Sequence, residues 1–121
     1  MSSTSSWADE AREERKFFDG VSIAALHELL HRRQFGATYA IWYSIAERST
    51  LATSAWPLLE TLERRSVHRT FRHHAATALL RLMDSHSWNA EDLCDENDPD
   101  FDARLREFRH AVMDQIRQQT Q

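Results

Sequence analysis

The residues most able to do chemistry form one short motif, His27-Glu28-Leu29-Leu30-His31. It matches the H-E-x-x-H pattern, in which two imidazoles one helical turn apart bind zinc and the glutamate polarises a zinc-bound water. Glu47 is a candidate third ligand, which would make the protein a small zinc-dependent metallopeptidase. Arg32 and Arg33 follow the motif directly, whereas the metal-binding helix of such an enzyme is buried among uncharged residues. The sequence therefore favours solvent-facing histidines, with a metallopeptidase or non-catalytic metal binding as alternatives.

Basic residues between positions 64 and 81 form a second group of candidates. Three arginines and a histidine are spaced i, i+3, i+4 and i+7, so on a helix they would lie along one face. They are Arg65, His68, Arg69 and Arg72. An exposed basic face binds phosphates, as in DNA-reading helical repeat enzymes, but the net charge of -4 argues against a dedicated nucleic-acid-binding protein. The alternatives are a solvated face or an intramolecular partner for the acidic stretch 91–102.

The stretch 91–102 holds seven carboxylates and no basic residue. It suggests calcium, but Pro99 stands at the fifth position counted from Asp95, and the turn glycine of a calcium loop is absent. Cys94 has no nearby cation that would activate its thiol, which argues against a reactive cysteine. We expect a solvated loop followed by a helix N-terminus, where carboxylates are favourable. No cofactor is predicted.

Four tryptophans are a high count for 121 residues. Trp42 and Trp56 are expected in the core or between helices. Trp7 and Trp88 fall at an end of the chain and in a loop, where a large aromatic side chain is unfavourable in water. Either these two pack onto the domain, or they are anchors for a protein partner.

Composition limits both the fold and the compartment. Two glycines and two prolines are too few for the turns of a β-sandwich or barrel, and the abundant Ala, Leu, Arg and Glu favour helices. No apolar run approaches the roughly 18 residues of a membrane span, and residues 1–6 carry no secretory signal. A single cysteine fits a reducing compartment. We therefore predict a cytoplasmic protein without a membrane association.

Hydrophobic periodicity predicts an all-α fold of about six helices in antiparallel pairs, with no sheet. Residues 1–6 are predicted to be a disordered tail, and residues 7–121 a single helical domain. Pro57 would fall in the first turn of the fourth helix, where its missing N–H has little effect. The predicted helices begin after Ser6, Ser22 and Thr38, around Ala55, at Val67 or Phe71, and after Asp98, with Ser49 to Ser54 as a linker.

The segment Ala55–Met83 resembles a HEAT repeat, a pair of helices that stacks on similar pairs. Its first helix carries an early proline with leucines, and its second reads arginine, two alanines, then alanine-leucine. The resemblance implies that the alanines face the adjoining repeat while the leucines close the pair. The turn before the second helix is longer than usual and lacks the customary aspartate, so a generic helical bundle is the alternative. The matching residues are Pro57-Leu58-Leu59, Leu62, Arg72, Ala75-Ala76 and Ala78-Leu79.

No catalytic set is favoured over its structural alternative, so we predict a non-enzymatic protein-protein interaction module. It would be an adaptor, a regulator or an inhibitor of the immunity-protein type, because helical stacks present extended faces to partners. A protein partner or self-association is expected. The zinc and nucleic-acid hypotheses described above are the alternatives. Partner contacts are predicted at Trp7, Trp88, Arg65, Arg69 and Arg72.

Overall fold

A computed structural model describes residues 6–119, which form an all-α domain with no strand among them. The predicted fold class is therefore confirmed. Of the predicted tail, residues 1–5 lie outside the described residues, and Ser6 caps the first helix by accepting a hydrogen bond from the Asp9 amide at 3.1 Å. The elements are α1 (Trp7–Asp19), α2 (Ile23–His31), α3 (Ala40–Arg48), α4 (Leu51–Glu63), α5 (Arg69–Met83), a 3-10 turn (Asp92–Cys94) and α6 (Phe101–Gln119).

The six described helices form two layers, because each helix packs beside the next but one along the chain. One layer contains α1, α3 and α5, and the other contains α2, α4 and α6. Across the layers α4 packs extensively on α5, and α2 packs on α3. No helix within residues 6–119 combines the length and apolar character that crossing a bilayer requires.

The core lies where the two layers meet. Every helix contributes a large side chain to one apolar cluster, and burying a single side chain of this size contributes about 2 kcal/mol to stability. Three buried alanines on α5 let its neighbours approach closely. The largest contributors from the six helices, in order, are Phe18, Leu26, Trp42, Leu58, Leu79 and Phe108.

The start of α4 corrects the sequence prediction. The Thr50 hydroxyl accepts a hydrogen bond from the Thr53 amide and caps the helix, so most of the predicted linker is helical. Pro57 therefore lies inside α4 rather than in its first turn. Its missing N–H removes one helical hydrogen bond, and the added first turn places Leu51 in the core, where it is 2% exposed.

The connection between α2 and α3 is held by a carboxylate from α1. Glu14 accepts hydrogen bonds from the backbone amides of Ala37 (2.7 Å) and Thr38 (3.0 Å), and from the Thr38 hydroxyl (2.7 Å). Gly36 precedes these residues with a φ of +78°, and a Cβ atom there would lie 2.9 Å from a Glu14 oxygen. Both the backbone conformation and the close approach of the carboxylate therefore favour glycine.

Candidate binding surfaces

The two histidines of the H-E-x-x-H motif lie in a groove of about 330 Å³ on the α2–α4–α6 layer. We call this surface the tryptophan groove, because a half-exposed tryptophan forms part of its wall. α2 supplies the histidines, α4 supplies the tryptophan and two glutamates, and α6 supplies an arginine. Its functional side chains are His27, His31, Trp56, Glu60, Glu63 and Arg109.

The histidines of the groove bind neighbouring side chains rather than presenting free nitrogens together. His27 Nε2 lies 2.7 Å from the hydroxyl of Ser54, and burial lowers the pKa of this imidazole. His31 Nδ1 lies 3.2 Å from a carboxylate oxygen of Glu60. One nitrogen of each ring is therefore engaged by a residue of α4.

Glu47, the predicted third zinc ligand, lies on α3 in the other layer. Its carboxylate is 2.6 Å from Arg15 and 3.6 Å from Arg81, and the hydrogen bond from Arg15 lowers its pKa. Among residues 6–119, no three His, Cys, Asp or Glu side chains form a group that could hold a metal ion. The structure therefore does not bring Glu47 together with His27 and His31, and the zinc hypothesis lacks its third protein ligand.

Trp56 is 50% exposed, so of its two predicted locations the core is excluded, and it lies instead where α4 meets α6. The guanidinium of Arg109 stacks 5.2 Å from the centre of its ring. The same guanidinium lies 3.4 Å from the carboxylate of Glu63. Burial raises the pKa of Glu63, while the positive charge of Arg109 acts in the opposite direction. Trp56, Arg109 and Glu63 thus form one cation–aromatic–carboxylate group.

The sequence carries a signal for the α4 part of this group. Glu60 and Glu63 follow Trp56 at i+4 and i+7, so the three residues share one helix face. Two carboxylates on that face indicate solvent rather than core. No comparable signal connects Arg109 to Trp56, because these two residues meet only through the packing of α6 on α4.

A second exposed surface lies on the α1–α3–α5 layer. Trp7 contacts Tyr39 with a ring separation of 4.9 Å, and Tyr39 contacts Tyr43 at 4.5 Å. Arg81 from α5 covers the far end, 4.9 Å from the centre of the Tyr43 ring. We call Trp7, Tyr39 and Tyr43 the aromatic strip. A shallow cavity of about 270 Å³ lies beside its tyrosines, between α1 and α3.

The other predicted partner tryptophan has a different environment. Trp88 is partly buried and packs edge-on against Phe108 of the core, with a ring separation of 5.2 Å and an interplanar angle of 68°. Trp7, by contrast, is 59% exposed. Of the two, Trp88 matches the alternative of packing on the domain, and Trp7 has a surface available for a partner.

The predicted basic stripe does not form one exposed surface. Arg72 is only 4% exposed, and it donates to the Val67 carbonyl at 3.0 Å and to the carboxylate of Glu96. The other two arginines also pair with the acidic stretch 91–102. These contacts match the intramolecular alternative, with the acidic stretch held against α5 and the turn before it. The two further pairs are Arg69 with Glu91 at 3.2 Å and Arg65 with Asp102.

Comparisons with known proteins give no guide to function here. No protein-family model, no curated protein and no solved structure matches this chain. The resemblance of Ala55–Met83 to HEAT repeats therefore stays a prediction. Two exposed surfaces remain as candidates for binding, the tryptophan groove and the aromatic strip.

Proposed function

We propose that the protein is a non-enzymatic protein-binding module and that the aromatic strip contacts the partner. The observation that carries this proposal is the continuous contact of Trp7, Tyr39 and Tyr43 across one layer, with two of the three rings exposed. Tryptophan and tyrosine are the residues most enriched where protein interfaces concentrate their binding energy. A row of three on the surface of a small domain favours a protein partner.

Charged side chains cover one end of the strip. Glu47 bridges Arg15 of α1 and Arg81 of α5, and Arg81 stacks on Tyr43. The Tyr43 ring is therefore contacted on one face before a partner binds, which lowers the entropy lost on binding at this end of the strip. The shallow cavity beside the tyrosines has two alanines, Ala8 and Ala11, and two arginines in its wall, and is suited to a partner side chain with an apolar stem and an acidic end.

The arrangement of helices supports this type of function. Alternate helices occupy alternate layers, as they do in helical repeat stacks. On this basis we propose that the domain is a short HEAT-like stack, with α6 covering its end. Such stacks bind proteins through extended helical faces, and a cytoplasmic adaptor, regulator or inhibitor would use this geometry.

A paired-variant capture experiment tests the proposal. The tagged 121-residue chain, its Trp7→Ala variant and its Phe17→Ala variant are used as baits in native cell extract, and bound proteins are quantified by mass spectrometry. The two variants are matched, because each removes one exposed aromatic side chain from α1, and Phe17 lies outside the aromatic strip. We expect a stoichiometric partner that Trp7→Ala loses at least about tenfold and that Phe17→Ala retains.

Self-association is measured on the same three proteins by sedimentation equilibrium. A dimer that dissociates with Trp7→Ala would identify the partner as a second copy of the chain. A monomer that captures no stoichiometric protein would contradict the proposal. So would a partner whose recovery is equal for the wild type and Trp7→Ala.

A further inference from the structure

The tryptophan groove holds a cation that belongs to the protein itself. Arg109 reaches from α6 to stack on Trp56 and to pair with Glu63, both of α4. An aromatic face with a carboxylate beside it attracts a cation through the ring quadrupole and through charge. α4 therefore presents a cation-binding surface, and Arg109 occupies it in the free protein.

The resident cation is held loosely. The Arg109 side chain is 44% exposed, and its contact to Glu63 is 3.4 Å, longer than a strong charged hydrogen bond. An exposed ion pair of this kind contributes about 1 kcal/mol or less. Displacing Arg109 therefore needs little free energy, whereas Trp56 and Glu63 are fixed on a helix that packs across the core.

The carboxylate of the site, Glu63, would gain from a cation placed closer than Arg109 is. Glu63 is the less exposed partner, at 29%, and burial raises its pKa. A partly desolvated carboxylate gains more from a closely placed cation than an exposed one does. Glu60 lies one turn away on the same face, 3.2 Å from His31 and 3.3 Å from Arg64, so a second carboxylate borders the site.

We propose that the tryptophan groove binds an arginine side chain of a protein partner, which displaces Arg109 and takes its place between Trp56 and Glu63. Arginine fits better than lysine, because a flat guanidinium stacks on an indole ring and pairs with a carboxylate through two N–H groups. This site is separate from the aromatic strip, since it lies on the other helical layer. It is therefore independent of the partner contact proposed for the aromatic strip.

Titration followed by NMR tests the site directly in the full-length protein. The probe is N-acetyl-arginine-N-methylamide, a single arginine residue with peptide bonds on both sides, and the readout is the indole N–H resonance of Trp56. Loss of one resonance in Trp56→Phe assigns it among the four tryptophans. N-acetyl-citrulline-N-methylamide is the neutral control, because it has nearly the same shape and no charge.

The decisive variant is Arg109→Gln, which removes the resident cation. We expect the arginine probe to shift the Trp56 resonance and to bind Arg109→Gln about threefold more tightly than the wild type. Glu63→Gln in the Arg109→Gln background should weaken binding by about fivefold. Arg12→Gln, which breaks an exposed ion pair with Asp9 on α1, is the matched control and should bind as the wild type does.

Three results would overturn the proposal. One is an equal shift with the citrulline probe, because charge would then not be recognised. Another is equal affinity of the wild type and Arg109→Gln, because Arg109 would then not compete for the site. The third is tighter binding of free L-arginine than of the blocked probe, which would assign the groove to a small amino acid. Since none of these readouts involves Trp7, they leave the aromatic-strip proposal unaffected.

Discussion

Two arginine–carboxylate pairs, made of the same residue types, have opposite roles in this molecule. Arg72 and Glu96 join α5 to the acidic stretch, and the Arg72 side chain is 5% exposed. Arg109 and Glu63 join α6 to α4, and the Arg109 side chain is 44% exposed. Burial makes the first pair part of the fold, whereas exposure leaves the second pair available for exchange with a ligand.

The surroundings of the two arginines explain this difference. Arg72 also donates to the carbonyl of Val67, which is itself buried. Removing Arg72 would leave that carbonyl without its partner, and an unpaired buried polar group is unfavourable. Arg109 has an aromatic ring on one side and solvent on the other, so water can replace it. The predictions below test this distinction, from the largest expected effect to the smallest.

Replacing Arg72 should cause the largest loss of stability. Arg72→Ala removes a buried guanidinium that pairs with the partly exposed Glu96 and leaves a cavity, so we expect the free energy of unfolding to fall by about 3 kcal/mol. Urea denaturation followed by circular dichroism measures it. Arg69→Ala is the matched control on the same helix, because its pair with Glu91 is exposed and should contribute less than about 1 kcal/mol. Equal losses in the two variants would remove burial as the distinguishing factor.

Gly36→Ala should have an intermediate effect, because the Glu14 contacts it disturbs are only partly buried. The new Cβ would clash with the Glu14 carboxylate, and the alanine would have to adopt a left-handed backbone conformation. We expect a loss of about 1–2 kcal/mol in the free energy of unfolding. Gly20→Ala is the control, because Gly20 has a negative φ and its nearest neighbour would be 3.5 Å from an added Cβ. A Gly36→Ala protein as stable as Gly20→Ala would show that Glu14 moves away without loss.

The pH dependence of stability depends on two partly buried histidines, His27 and His74. Burial lowers the pKa of each below the ordinary value of 6.5, and neighbouring His73 lowers that of His74 further. The folded state therefore binds fewer protons than the unfolded state as the pH falls below 6.5. Unfolding then takes up protons, so the free energy of unfolding should decrease as the pH falls through this window.

Urea denaturation at several pH values between about 5 and 8 measures this slope. His27→Gln and His74→Gln should each flatten it, and the double variant should flatten it most. Comparing the two single variants shows how much of the pH dependence comes from the tryptophan groove, which contains His27, and how much from His74 on α5. A slope unchanged in the double variant would assign the pH dependence to other groups.

Local sequence signals predicted much of the fold. The hydroxyls of Ser6 and Ser22 cap α1 and α2 as expected, because capping is a local interaction. The start of α4 was predicted wrongly, because the Thr50 cap, and not Pro57, marks where the helix begins. Helix existence therefore followed from periodicity, while this boundary followed from a cap that is also a local feature of the sequence.

The roles of the arginines could not be predicted in this way. Arg69 and Arg72 have the same charge and lie three residues apart, yet one is exposed and the other is buried. That difference arises where the chain returns after α5 and brings Glu96 back against the helix. Exposure of Trp56 was predictable from its neighbours on α4, but its contact with Arg109 was not, because it depends on the position of α6.

Replacing Arg109 should have the smallest effect on stability. Arg109→Ala removes an exposed ion pair and a stacking contact, so we expect a loss of about 0.5–1 kcal/mol in the free energy of unfolding. Salt screens exposed charges within a few ångströms at about 1 M, so this loss should shrink in concentrated sodium chloride, whereas the loss in Arg72→Ala should persist. Urea denaturation at low and high salt compares the two variants. If the Arg109 loss were large and insensitive to salt, Arg109 would be a structural residue like Arg72, and an incoming arginine could not displace it from Trp56.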